Sequence, residues 1–381
     1  MINNKDNYEK HYEQVRLLLS PPSAVPLPKN ELTEKLLHNI FTEEEAYLLA
    51  KGIKKTIRPT TAGRIRKRTG FSKEKVKELL NKMKFAGKIL KINLFYVLLP
   101  YLPGFFEFYF TTNRDDPERI KKAAEAHYEL IEKGFHAEHT SLGYPLYRVI
   151  PAVEPTEKII NETVEINQEL AVQHQVLPYE ILEDYLSKYK TFAVQPCSCR
   201  VAAKLSGNAC KQTDENYCVS AGLLAKQVIN DEVGRQVSLE ELMEIMKRAE
   251  KEGLVHETIN TMKTSMFICN CCSCCCGFLK MVKELGNYGA INKSNFEPVR
   301  NDEDCTSCGV CAEICPMGAI ERTEDTSNDT FEFRFNYDLC IGCGLCASNC
   351  PSDAIVLKKV RNEVPIKGVI GLLRRRKKAR Q

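Results

Sequence analysis

The chain has 381 residues, with 54 Lys or Arg against 50 Asp or Glu, a net charge of +4, and 43% hydrophobic residues. That is room for two or three domains, in a composition that points to globular, soluble protein rather than a disordered chain. The 18 cysteines would suggest disulfides in a small secreted protein, but the opening MINNKDNYEKHYEQ carries no apolar signal core, so the expectation is a cytoplasmic protein with reduced, metal-binding thiols.

Residues 1–29 begin polar and end in PPSAVPLPKN, which reads as a flexible Pro-rich segment. Residues 30–99 read as a small domain of helices followed by strands. Thr42 and Glu45 fit a capping box that opens a helix. A short helix through AGRIRKRT should stop at Gly70, and Ser72 can cap the next, whose Val76, Leu79, Leu80 and Met83 fall on one face. KILKINLFYVLL is strand-like. Helix, helix, turn, helix, then strands is the order of a winged helix-turn-helix, and residues 30–99 resemble one in pattern.

Residues 100–195 form a mixed connecting region, with an amphipathic helix in PERIKKAAEAHYELIEK and another in EILEDYLSKY. The longest apolar stretch, residues 92–110, is interrupted by Pro100, Pro103 and Glu107. It falls short of the ~20 clean apolar residues of a membrane helix. Residues 196–290 read as a cysteine-rich helical region. In its clearest helix Ser238 and Glu241 form a capping box, Leu242, Ile245, Met246 and Ala249 make the buried face, and Gly253 closes it. Residues 361–381 form a basic tail ending LLRRRKKARQ.

The strongest signal is an internal repeat within residues 296–360. CTSCGVCAEICPMGAI at 305–320 and CIGCGLCASNCPSDAI at 340–355 share nine of sixteen positions. Each copy is C-x2-C-x2-C-x3-C-P. Three thiolates on a tight, glycine-containing loop reach three irons of one 4Fe–4S cube, and loop N–H groups stabilise its charge. Two zinc sites would use CxxC knuckles instead. The spacing resembles that of bacterial two-cluster ferredoxins. The resemblance implies a dicluster domain in which Cys305, Cys308, Cys311 and Cys350 hold one cluster and Cys340, Cys343, Cys346 and Cys315 the other. The 24 residues between Cys315 and Cys340 suggest an extended hairpin.

Ten cysteines lie upstream. Cys197, Cys199, Cys210 and Cys218 have the spacing C-x-C-x10-C-x7-C, which suits one 4Fe–4S cluster or one zinc. Arg200 follows Cys199 and could offset cluster charge or sit on the surface. Cys269, Cys271, Cys272, Cys274, Cys275 and Cys276 crowd into FICNCCSCCCGFL, where they cannot all face one small cluster. A further Fe–S cluster, a redox-active thiol site, and a structural zinc or core thiol all remain open. His256 and Glu257 read as a helix terminus on a solvated face, with a proton-handling role as the alternative. The stretches PCSCR, GLVH and CNCCSCCC ahead of a dicluster ferredoxin resemble large iron–sulfur proteins of anaerobes. That resemblance implies multi-cluster electron transfer.

Residues 51–91 carry 15 Lys or Arg against Glu74 and Glu78. Such a face would suit DNA phosphates or an acidic redox partner protein. The basic tail could touch anionic lipid. No G-x-G-x-x-G loop stands in a strand–turn–helix context, so no flavin or nicotinamide site is expected. The fold class expected is α+β: a winged-helix-like N-terminal domain, a helical middle with one or two cysteine metal sites, and a C-terminal dicluster ferredoxin-like domain. The function expected is intracellular electron transfer, as a carrier or as a subunit of a redox complex. An oxidoreductase with chemistry at 269–276 and a redox-sensing DNA-binding regulator are the alternatives.

Overall fold

A computed structural model describes residues 4–133, 144–153, 155–156, 180–212, 218–263, 267–325 and 330–379. The chain opens with α1 (Asn4–Leu19), α2 (Glu31–Ile40), α3 (Glu43–Gly52), β1 (Thr60–Thr61), α4 (Ala62–Thr69), α5 (Lys73–Phe85), β2 (Leu90–Ile92), β3 (Phe95–Val97), α6 (Phe105–Thr112) and α7 (Pro117–Lys133). It continues through β4 (Tyr147–Ile150), α8 (Leu182–Ser187), β5 (Phe192–Gln195), α9 (Ser198–Leu205), β6 (Cys218–Ala221), α10 (Leu223–Asn230), β7 (Arg235–Val237) and α11 (Leu239–Lys251). Then come β8 (Val255–Ile259), β9 (Phe267–Cys271), α12 (Gly277–Leu285), β10 (Ile291–Asn292) and β11 (Phe296–Arg300). The last elements are α13 (Val310–Ile314), β12 (Ile320–Asp325), β13 (Thr330–Phe335), α14 (Leu345–Ser348), β14 (Ile355–Lys359) and α15 (Val369–Ala379). No helix among the described residues is long and apolar enough to cross a membrane.

Two compact units result. One comprises Met1–Gly143, Cys197–Asp214 and Leu373–Gln381; the other comprises Tyr144–Pro196 and Glu215–Leu372.

In the first unit, local sequence sets the helix ends. Thr42 and Glu45 complete the capping box of α3. Gly70 ends α4 with φ 74°, a left-handed conformation that suits glycine, and Ser72 caps α5. Val76, Leu79, Leu80 and Met83 are buried as their spacing implies. β1, β3 and β2 then form a three-stranded antiparallel sheet in that order. Residues 4–29 are not a flexible segment. On α1, Tyr12, Val15, Leu18 and Leu19 form a buried stripe, and the Pro-rich stretch buries Ala24, Val25 and Leu27. Arg16 donates to Leu27 O at 2.7 Å, and Val25 bridges to Leu102. Nor are residues 369–379 a solvated tail: they form α15, where Arg376 is buried and donates to Ser23 O at 3.0 Å. The Lys88 ammonium lies 3.1 Å from Glu45 Oε2 and 2.9 Å from Asp115 Oδ2, with all three side chains buried. Tyr109 also donates to Asp115, at 2.8 Å.

The second unit is built on a seven-stranded sheet of order β10-β4-β8-β9-β6-β5-β7. Only the β10–β4 pairing is parallel. Phe192 and Val194 of β5 pack with Leu182 and Leu186 of α8 and with Leu242 and Met246 of α11. The alternate residue Ala193 packs with Ala225 and Val228 of α10. Residues 196–290 are therefore not mainly helical. CVSA, VHETI and FICNC within this region, and FAVQ just before it, are short strands. The expected region 100–195 divides between the units, with α6 and α7 in the first and β4, α8 and β5 in the second. Ser238 caps α11, but Glu241 pairs with Arg235 at 2.6 Å rather than closing a capping box.

Buried polar ties fix the C-terminal segment on this sheet. Lys359 of β14 meets Glu180 at 2.8 Å, Asn295 donates to the same carboxylate at 2.6 Å, and Ala152 N donates to Cys343 O at 2.9 Å.

The Lys88 cluster gives the first prediction. Substitution Lys88→Met strands two buried carboxylates, and loss of one partner of a buried ion pair costs about 3–5 kcal/mol. Denaturant unfolding of the full chain should show that loss in the first unit; a loss below about 1 kcal/mol would contradict the role given to the cluster.

Candidate metal centres

The 305–359 segment folds as two pseudo-repeated halves. Each half runs from a cysteine loop into a short helix, α13 or α14, capped by a left-handed glycine, Gly309 or Gly344. β12 and β13 pair antiparallel from Ile320↔Phe335 to Asp325↔Thr330, the hairpin that the long inter-repeat spacing implied. β11 pairs with β14.

The two halves enclose two cavities. One is lined by Cys305, Cys308, Cys311 and Cys350, with Pro351, Phe333 and Ile355. The other is lined by Cys315, Cys340, Cys343 and Cys346, with Pro316, Met317, Ile341 and Phe335. Each cavity thus draws three cysteines from one repeat and one from the other. Cys311 and Cys315 lie four residues apart around α13, a rise of about 6 Å along a helix, so the cavities are neighbours. Cys308 on the first is exposed, whereas Cys346, Ile341 and Leu345 on the second are buried.

The chemistry of the walls suits a thiolate-bound, negatively charged inorganic group. Backbone N–H groups of Ala312, Gly342 and Leu345 donate to the sulfurs of Cys311, Cys340 and Cys343. Ala319 N donates to Cys315 Sγ at 3.3 Å. Burial pushes the thiols of Cys311, Cys340, Cys343 and Cys346 above the ordinary cysteine range. Such thiols ionise only when a cation neutralises them, and iron in a cluster would do so. The four sulfurs and the N–H donors on each cavity therefore fit a 4Fe–4S cluster.

The family model of the 4Fe-4S dicluster domain matches residues 288–363. That stretch is an iron–sulfur domain of ferredoxin type. The match ends short of the ten upstream cysteines, and no curated protein and no solved structure matches the chain.

The upstream cysteines divide between the units. Cys197 caps α9, Cys199 lies in its first turn and Cys210 follows it, all in the first unit, whereas Cys218 opens β6 in the second. Neither unit holds that quartet whole. Arg200 is buried, not a surface cation. CNCCSCCC is neither one helix nor one strand: Cys269 and Cys271 lie on β9, residues 273–275 turn, and Cys276 caps α12. Cys271, Cys272, Cys275 and Cys276 are buried, Cys269 is half-buried and Cys274 is exposed. Two groups form within the second unit. The Sγ atoms of Cys272, Cys274 and Cys275 lie within 4.8 Å of one another, and so do the donor atoms of Glu257, Cys271 and Cys276. Hydrogen bonds with Cys269 and Cys276, then burial, hold the Cys271 thiol well above its usual range.

His256 and Glu257 do not lie on a solvated helix end. They are buried in β8. His256 Nδ1 meets Asn270 Oδ1 at 2.6 Å and Nε2 meets Glu250 Oε1 at 3.0 Å. Sequence reasoning missed Glu250, Asn270 and the placement of Glu257. The strand pairing, His256↔Asn270 and Glu257↔Cys269, brings Asn270 and Glu257 together with the cysteines of β9, and Glu250 of α11 joins through His256.

Gly342 tests the second cavity. Its φ is 69°, and a Cβ there would collide with Ser294 Oγ and Phe296 O. Gly342→Ala should displace the Cys340–Cys343 loop and lower bound iron and sulfide by about half. Unchanged iron in a folded variant would contradict the placement of a cluster in that cavity.

Proposed function

We propose that this protein transfers single electrons through two 4Fe–4S clusters, as a carrier or as a subunit of a redox complex. The observation that carries the reading is the pair of neighbouring four-cysteine cavities, each completed by a residue of the other repeat. Each cluster, when bound, supplies one-electron redox chemistry. Four cysteine ligands per cluster leave no iron open to a substrate, which favours relay over bond chemistry.

The chain's own residues give the relay a direction in space. Phe335, Met317 and Ile341 shield the inner cavity formed with Cys315, Cys340, Cys343 and Cys346. Exposed Cys308 leaves the outer cavity, with Cys305, Cys311 and Cys350, within reach of a partner. The partner on this reading is another redox protein, met in the cytoplasm of a cell with little oxygen. The ten upstream cysteines hold a further metal centre, iron–sulfur or zinc, a reading supported by their two close groups in the second unit.

Anaerobic reductive titration tests the relay. The expected result is reversible uptake of two electrons by the 305–350 cysteine set, returned to a soluble carrier such as oxidised viologen. Uptake of one electron, or clusters that are destroyed on reduction, would contradict it.

A second reading concerns the first unit. The helices α3, α4 and α5, with β1 between α3 and α4 and β2 and β3 after α5 in one three-stranded sheet, support a winged-helix fold for residues 30–99. Arg64, Arg66, Lys67, Lys73 and Lys77 are exposed on α4 and α5. This face would bind a polyanion, DNA or an acidic protein. If DNA is its ligand, duplex binding should weaken steeply with salt, and Arg64→Ala with Arg66→Ala should flatten that slope by about two phosphate contacts. Absence of salt-dependent duplex binding would leave the acidic protein as the ligand.

A further inference from the structure

We propose that Glu257, Cys271 and Cys276 bind one zinc-class divalent ion, separate from any iron–sulfur cluster. This deepens the reading that the upstream cysteines hold metal, and rests on it; the relay through the 305–350 cysteines does not enter.

The site is built by the sheet. Glu257 stands opposite Cys269 in the antiparallel β8–β9 pairing, so the two share a face, and Cys271 lies two residues further along on that same face. The turn at 273–275 then brings Cys276 back to cap α12. There the positive end of a nine-residue helix favours a thiolate.

Three features single out one ion. The first is spacing. Zinc–thiolate bonds of about 2.3 Å put two sulfurs of a tetrahedral site about 3.8 Å apart, and the three donor atoms here all lie within 4.8 Å of one another. The second is burial: Glu257 is 2% exposed, Cys276 4% and Cys271 6%. An anionic donor set in so dry a place is costly without a cation among it. The third is the donor set itself. Two soft sulfurs and one carboxylate oxygen suit a borderline ion such as zinc, whereas clusters are held by thiolates. Cys269 lies on the same face of β9 as Cys271.

The test uses the full chain, purified without oxygen and supplied with zinc, then washed free of loose metal. Zinc, iron and sulfide are counted together. The expected result is one zinc per chain, with a mixed sulfur-and-oxygen shell in its X-ray absorption spectrum. Glu257→Gln and Cys276→Ser should each weaken zinc binding at least tenfold while iron and sulfide in the C-terminal domain stay unchanged. The absorption spectrum needs no variant, so a variant that fails to fold leaves the test intact. An all-sulfur shell, or zinc retained by both folded variants, would overturn the site. Extra iron and sulfide in place of zinc would overturn it but leave upstream metal binding standing. Neither zinc nor extra iron upstream would overturn both.

Discussion

Four sulfurs must converge on each cavity of the C-terminal domain, and one tight loop supplies only three. That constraint shapes the rest. The fourth cysteine has to come from the other repeat, so the halves fold around each other. α13 carries Cys311 towards one cavity while Cys315, at its end, faces the other. The glycines at 309 and 344 turn the chain into each short helix where a side chain would be strained. Phe296, Phe333, Ile355 and Leu357 form the small core of this segment, with Cys311, Cys315 and Cys350 packed against it.

So small a core needs support. Part of it comes from the seven-stranded sheet of the same unit, through Lys359 with Glu180, Ala152 with Cys343, and Lys251 with Ser348 O. A further polar chain runs from Val153 N to Glu250, His256 and Asn270, and so reaches β9 beside Cys269 and Cys271. The ferredoxin-type segment keeps its own two-stranded sheets, β11 with β14 and β12 with β13, and meets the larger sheet's unit through these polar ties. In the first unit the equivalent anchor is Lys88 between Glu45 and Asp115. Lys88 and Lys359 are each buried with a carboxylate within hydrogen-bonding reach.

Much of this is legible in the sequence where the signal is local. The caps at Thr42, Ser72 and Ser238, the stop at Gly70 and the buried face of α5 follow from neighbours a few residues apart. The repeat singles out eight C-terminal cysteines by their spacing, the resemblance to two-cluster ferredoxins implies how they divide, and the two cavities are each lined by four of them. What escapes is long-range. The strands at 192–195, 218–221, 255–259 and 267–271 are four or five residues each, too short for periodicity to separate from a helix. With them went Glu257, which reaches the cysteines only by pairing across 12 residues of chain. Composition misled at both termini. Pro21 opens a turn closed by Ala24 N on Pro21 O, Ala24, Val25 and Leu27 pack among the prolines, and Arg376 donates to the carbonyl of Ser23.

The central claim is that two clusters sit close enough to pass electrons. The electron paramagnetic resonance spectrum of the fully reduced protein tests it most directly. The account predicts two spins per chain with signals broadened and split by magnetic coupling between neighbouring clusters. One spin per chain, or two signals that do not interact, would contradict it.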